Sequence, residues 1–338
     1  MTKAYIKAID YYLPQKTLTN EELVRDFPEW DVDKIMEKVG ISKRHIVTEN
    51  ETAADLAVAA AQKLFAQGIN KDNIDYVLFC TQSPDYFLPA SACVIQDRLG
   101  LSQNTGAIDF NQGCSGFVYG LSLAKGLIAA NIAKNVLLLT AETYTKKLHS
   151  SDKGNRSIFG DGAAAVLIAT DGFAEIGEFC LGTDGSGAEH LIIKTGAARC
   201  PEKAGSVEFD ENNNPVSSDY INMNGNEIFA FTLKQVPPLV ESVLKKNGIE
   251  QKDVDLFIFH QANKYMLEVL RKKLKIDKDR FYLYLSEVGN TVSSTIPIAM
   301  CEALKDGTLR TGMNTMLVGF GVGLSWGGCM LFFRIGLI

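Results

Sequence analysis

The sequence predicts an α/β layered fold built from two similar halves, and three observations carry that expectation. Continuously apolar stretches of strand length, such as 75–81 (DYVLFCT), alternate with helical stretches along the whole chain. The order then recurs: 73–82 has a counterpart in 253–262, and the helix after Cys114 that leads to 136–139 corresponds to 296–304 leading to 316–319. Finally, 338 residues with 46% hydrophobic content give room for one large or two ordinary domains with substantial cores.

In chain order, residues 3–11 read as a strand ended by Pro14, followed by a capped helix at Thr19-Asn20-Glu21-Glu22. A helical patch spans 30–39 and stops at Gly40. Residues 52–67 (TAADLAVAAAQKLFAQ) form an alanine-rich helix, and 75–81 a strand buried on both faces. A loop at 83–89 leads to a helix over 90–99. A short apolar run then enters a glycine turn carrying Cys114 and a helix from Phe117 to Ala130, apolar enough to be buried all round. Residues 134–141 (KNVLLLTA) and 163–169 (AAAVLIA) supply further strands. The seam between halves falls near 170–172, giving an N-terminal half 1–170 and a C-terminal half 171–338. The segment 189–218, rich in Gly, Asn and Glu, reads as a surface excursion.

A net charge of −6 with scattered basic residues carries no nucleic-acid footprint, and no lysine-arginine block marks an anionic membrane. The start lacks a secretory apolar core, and no segment approaches the roughly 20 apolar residues of a membrane span. The expected location is the cytoplasm. Seven cysteines without a CxxC pair fit reduced thiols, and four histidines show no metal-ligand spacing, so neither a metal nor another cofactor is expected.

Cys114, in Gly113-Cys114-Ser115-Gly116, stands at the start of a helix whose dipole and free N–H groups favour a thiolate; the glycines would bend the chain and leave the sulfur accessible. A small buried core cysteine is the other reading. His260, in His260-Gln261-Ala262-Asn263, directly follows a buried strand, where a loop opens to a cleft; a packed histidine is the alternative. Asn290, in Gly289-Asn290-Thr291, precedes a helix and is either an N-cap or a site residue. Residues 319–328 (GFGVGLSWGG) hold too many glycines for a hairpin and match no phosphate loop. Closely approaching backbone N–H groups, as in an oxyanion hole, explain that run better.

The turn GCSGFVYGL, then HQAN, GNTVSS and GFGVGLSWG, in this order, resemble bacterial β-ketoacyl-acyl-carrier-protein synthase III, a condensing enzyme of the thiolase superfamily. VGISKRHI, FLPASACVIQDRLG, FGDGAAAV and MNGNEIF extend the resemblance over the full length. It implies a thiolase-like fold, a five-layered α-β-α-β-α sandwich. The activity implied is decarboxylative Claisen condensation of an acyl-CoA with a malonyl carrier thioester through an acyl-cysteine, in fatty-acid initiation or a related specialised pathway. The family's trio falls on Cys114, His260 and Asn290, with His260 and Asn290 donating to the malonyl thioester oxygen, and its oxyanion hole on the backbone of Cys114 and Val322. Trp30 and Lys153 match coenzyme A contacts, Asn263 the pantetheine tunnel, and Gly225 and Phe229 the same passage. Phe87 is similar to a residue that reaches the neighbouring subunit's acyl pocket in a homodimer.

Two positions depart from the pattern: the basic residues with which many relatives dock acidic carrier protein are here Tyr265 and Ala230. Lys264, Arg271, Lys272 and Lys273 would substitute, or the extender rides on another carrier or on coenzyme A. A thiolase would need a second cysteine in a CxG context, whereas Cys329 sits in a strand pattern; a hydroxymethylglutaryl-CoA synthase would need a glutamate where 81–84 reads TQSP. A non-catalytic partner subunit would lack part of the trio. The remaining rival is an acyltransferase of the same fold that passes the acyl group to an alcohol or amine.

Overall fold

Two capping boxes open the first half. In a computed structural model that describes residues 2–211 and 213–333, β1 (Tyr5–Tyr12) leads to α1 (Asn20–Asp26), where Thr19 Oγ1 accepts from Glu22 N and Glu22 Oε2 accepts from Thr19 N. Asp31 caps α2 (Val32–Val39), which Gly40 ends in the left-handed region at φ 74°. Thr52 and Asp55 form the second capping box, on α3 (Ala53–Phe65). Then come β2 (Tyr76–Cys80), α4 (Ser91–Arg98), β3 (Gly106–Phe110), α5 (Gly116–Ala129), β4 (Asn135–Glu142), α6 (Lys153–Ile158) and β5 (Gly162–Ala169). The remainder adds β6 (Ala174–Thr183), α7 (Gly225–Asn247), β7 (Leu256–Phe259), α8 (Lys264–Lys273), α9 (Thr295–Lys305), β8 (Asn314–Gly321) and β9 (Ser325–Phe333).

These strands form one nine-stranded sheet in the order β7-β8-β9-β6-β1-β5-β4-β2-β3. Its two arms repeat each other outward from β1 and β6: two antiparallel steps, then parallel pairing of β4 with β2 and of β8 with β7. Beyond β2 lies parallel β3, and beyond β7 a single parallel bridge from Phe257 to Phe281 stands in the same place. The repeat extends to side chains, since Asp75 Oδ2 accepts from Asn135 N as Asp255 Oδ2 accepts from Asn314 N. Within the sheet the arms are joined by the pairing of Tyr5 with Glu175 and of Ile6 with Ala174. Gly172, in the link between β5 and β6, lies against Ile6, whose carbonyl oxygen would be 2.3 Å from an added Cβ.

Side-chain alternation along the strands builds the layers. Leu137 and Leu139 of β4 face α3 and α4, while Val136 and Leu138 face inward to a core shared by α5, α9 and both arms. On the other arm Leu317 and Cys329 face that central core, and Met316, Val318 and Met330 pack under α7 and α8. Outer helices, sheet arm, central helices, sheet arm and outer helices thus make five layers.

Two expectations are corrected. Helix α5 is not buried all round: Phe117, Val118, Leu121, Ala124 and Ile128 are buried, but Leu123 is 42% exposed and Gly126 is exposed, because one face of its C-terminal half is left uncovered. The segment 189–218 is not wholly a surface excursion either. Leu191 and Ile192 pair with Met223 and Asn222, and Leu191 joins the core under α7.

Candidate active site

Cys114 sits between the end of β3 and the first turn of α5, and glycines on two elements let β8 close on it. A Cβ at Gly321 would lie 2.7 Å from Cys114 Cβ and 2.8 Å from its Sγ; one at Gly319 would lie 2.9 Å from Cys114 O. Gly113 and Gly116 are needed for space rather than for a left-handed turn, since added Cβ atoms would come within 2.3 Å of Val322 Cγ1 and of Cys80 Sγ. Ser325 Oγ lies 2.7 Å from Ser115 Oγ and donates to Val322 O at 2.8 Å, tying this turn to the glycine run. The expectation of an accessible thiolate is overturned. Cys114 is buried, and burial pushes its thiol up to about 12; the N–H groups of Val322 and of Cys114 itself point at the sulfur and oppose this only in part. Both N–H groups expected to form an oxyanion hole therefore face the reactive atom.

His260 follows β7 and Asn290 precedes α9, and a closed set of hydrogen bonds holds them together. Val292 N donates to Asn290 Oδ1 at 2.9 Å, which turns the Asn290 amide nitrogen toward His260 Nε2 at 3.5 Å. His260 Nδ1 lies 2.7 Å from Thr295 Oγ1, whose own proton goes to Val292 O at 3.0 Å. With that proton committed, Thr295 Oγ1 accepts, so Nδ1 carries the ring hydrogen and Nε2 presents a lone pair. Burial lowers His260 to about 3, keeping the ring neutral, and Phe320 packs its edge on it at 5.7 Å. The resting histidine therefore presents an acceptor at Nε2, and it becomes a donor there once that atom is protonated.

Residues given no role in the sequence reading position Asn290. Asn290 N donates to Ile158 O and Asn290 O accepts from Gly160 N, so the FGDG run clamps the asparagine's backbone. A Cβ at Gly160 would meet Val288 O at 2.7 Å. Arg44, fully buried, donates to Ser157 O at 2.6 Å and to Asn20 Oδ1 at 2.8 Å, bracing the clamp from behind. Val292, a β-branched residue at φ 56°, holds the strained turn that aims its N–H at Asn290. The signal was present in FGDGAAAV and VGISKRHI, but neither string states which backbone it touches. Beside the thiol, Glu142 is buried and pushed up to about 8 by burial and by Asp161, and it accepts from Gln82 N and Ser83 Oγ, both at 2.9 Å.

The remaining expected residues gather elsewhere. Helix α2 touches α6 and α8, and α7 touches α8, bringing Trp30, Lys153, Asn263 and Phe229 to one rim. Lys153 Nζ pairs with Glu29 at 2.9 Å next to Trp30, and Asn263 Oδ1 caps α8 through Met266 N. Gly225 opens α7, and Phe229 stacks on exposed Tyr265 at 5.7 Å. Arg271 is not available as a carrier contact: it bonds Glu268 and Ile276 O with its side chain 16% exposed, whereas Lys264, Lys272 and Lys273 are exposed. Phe87 is 88% exposed at the rim of a cavity of about 960 Å³ that runs to Val322 and Gly323. Among the described residues, no cluster of three His, Cys, Asp or Glu would hold a metal, and no helix is long and apolar enough to cross a membrane.

Comparison with known proteins finds one family along the chain. Family models described as 3-oxoacyl-[acyl-carrier-protein] synthase III and its C-terminal part match residues 108–185 and 244–333. A β-ketoacyl-[acyl-carrier-protein] synthase III of Clostridium perfringens is 38% identical over 333 residues, covering 98% of this chain and 99% of that one. The crystal structure of a 3-oxoacyl-(acyl-carrier-protein) synthase III superposes with a TM-score of 0.96 at 48% identity, covering 98% of this chain and 100% of that one. The priming β-ketosynthase of the R1128 polyketide pathway matches with a TM-score of 0.85 at 25% identity, covering 98% and 96%.

Proposed function

The chain belongs to the 3-oxoacyl-[acyl-carrier-protein] synthase III family, and from that premise we propose how its residues carry out the reaction. The activity is the initiating condensation of an acyl-CoA with malonyl carrier protein, in fatty-acid synthesis or a related priming pathway. The observation that carries the residue assignment is the hydrogen-bond circuit through Val292, Asn290, His260 and Thr295 beside a protonated, buried thiol.

Cys114 Sγ attacks the acyl-CoA carbonyl while its proton passes to His260 Nε2. Coenzyme A leaves as a thiolate and takes a proton from solvent. The new Nε2–H, together with the Asn290 amide, donates to the malonyl thioester oxygen; carbon dioxide departs and its bonding pair remains as the enolate. The enolate carbon attacks the acyl-Cys114 carbonyl, whose oxygen is held by the N–H groups of Cys114 and Val322. Collapse expels the Cys114 thiolate, which recovers its proton from His260. Because decarboxylation generates the nucleophile, the scheme needs no resident cofactor, only acyl-CoA and carrier protein as substrates.

This reading makes the protein an acyltransferase of the cytoplasm, in keeping with seven free cysteines. A homodimer is supported by β3 at the sheet edge with Ile108 42% exposed, and by Phe87 and Leu88 standing out beside it at 88% and 83%. Separate assays of the half-reactions test the roles. Cys114→Ala should abolish the covalent adduct. Asn290→Ala should still be acylated while malonyl decarboxylation falls by on the order of 10², and His260→Ala should slow both. Equal loss of both half-reactions in Asn290→Ala would contradict the division of labour.

A further inference from the structure

We propose that the starter pocket selects a short acyl group bearing a hydroxyl or oxo oxygen a few atoms from the thioester over the plain alkyl chain of the same length. This rests on the condensing reading above and deepens it. The cavity of about 960 Å³ beside Val322 has apolar walls at Leu191, Ile193 and Ile221, but its lining also carries Gln82, Asn111 and Tyr144. The Gln82 carboxamide lies directly against the residue preceding the nucleophile: a Cβ at Gly113 would be 2.7 Å from Gln82 Oε1.

Three bonds fix Gln82 there. Its backbone N–H goes to Glu142, its Nε2 donates to Asn111 Oδ1 at 2.8 Å, and its Oε1 accepts from the Tyr144 hydroxyl. Tyr144 is itself buried and packed on Phe159 at 5.3 Å, which holds its hydroxyl against Gln82. One Nε2 hydrogen of Gln82 and a lone pair of the Tyr144 oxygen are left over from this network and border the cavity. An alkyl chain covering them strips their water and gives nothing in return, whereas an oxygen on the acyl group satisfies them. A site of this kind rejects the analogue lacking the polar atom more strongly than it rejects a change in size.

The test compares butyryl-CoA with 3-hydroxybutyryl-CoA, which differ by one oxygen, reading kcat/KM for the mass added to Cys114. The wild-type protein should prefer the hydroxylated thioester by roughly tenfold or more. Gln82→Leu should erase the preference by raising butyryl and lowering 3-hydroxybutyryl transfer, and Tyr144→Phe should reduce it. Equal or better use of butyryl-CoA by the wild type overturns the proposal, whether or not the variants fold. Acylation by butyryl-CoA followed by condensation with malonyl carrier protein would, in that event, leave the condensing reading standing. A preference that survives intact in both variants overturns the assignment to Gln82 and Tyr144. Failure of any acyl-CoA to modify Cys114 would instead overturn the condensing reading and this proposal with it.

Discussion

At the scale of single residues, Cys114 sets two effects against each other. A helix N-terminus stabilises a nearby anion by on the order of 1 kcal/mol. Raising a thiol from its ordinary value of 9.0 to about 12 corresponds to roughly 4 kcal/mol. Burial wins, and the resting nucleophile is a thiol that needs a base. The neutral His260, with Nε2 bare, is that base, and Thr295 decides which ring nitrogen is bare. Thr295→Val removes the Nδ1–H acceptor without changing side-chain volume, and loss of one such bond, about 1 kcal/mol, should slow Cys114 acylation roughly five- to tenfold with little change in acyl-CoA KM. Thr295→Ser should restore the rate. Nitrogen-15 NMR of His260 should report a protonated Nδ1 in the wild type and a tautomer mixture in the valine variant. With His260 at about 3 and Cys114 at about 12, neither reacting group of the free enzyme titrates between pH 5 and 8; Glu142 beside the thiol, at about 8, does at the top of that range, and because its charge opposes the thiolate, wild-type acylation should fall as Glu142 ionises. A valine variant with wild-type rate and unchanged ring signals would remove Thr295 from the circuit. His260 and Cys114 were legible in the sequence from their places after strands; their protonation states were not, because burial is set by residues far away in the chain.

At the scale of elements, the glycines of β8 are fixed by what they touch. Gly321→Ala would drive a methyl to within 2.8 Å of Cys114 Sγ, where either β8 or the nucleophile turn must shift. Overpacking of this kind costs on the order of 1–3 kcal/mol, and displacement of the reacting sulfur should lower acylation by roughly 10². Gly126, on the exposed part of α5, has nothing within 4 Å of an added Cβ, so Gly126→Ala should raise stability by up to about 1 kcal/mol with activity retained. Thermal melts and acylation rates of the two variants check both outcomes; a Gly321→Ala enzyme of wild-type activity would show that the close approach is not needed. The helix starts at Thr19 and Thr52 were readable because capping is local chemistry. The clamp of Asn290 by the FGDG run and Arg44 was not, since it joins residues more than a hundred positions apart.

At the scale of the molecule, the site is a product of the repeat. Equivalent strands β2 and β7 run out at Thr81-Gln82 and at His260-Gln261, and equivalent helices α5 and α9 start beside Cys114 and Asn290, so each half delivers its polar residues to the same seam. Alternation of apolar runs and recurrence of their order made this architecture legible from the sequence. The exposed face of α5 and the buried Leu191 were not legible, because composition reports hydrophobicity but not which neighbour supplies the cover. On this mechanism one chain joins acyl capture to decarboxylative condensation. The most direct test is a single turnover of the wild-type protein, first loaded with a starter acyl group and then mixed with malonyl carrier protein. The mass on Cys114 should disappear as carbon dioxide and 3-oxoacyl carrier protein appear in equal amounts. Loss of the acyl group to an alcohol or amine, with no carbon dioxide released, would contradict the account.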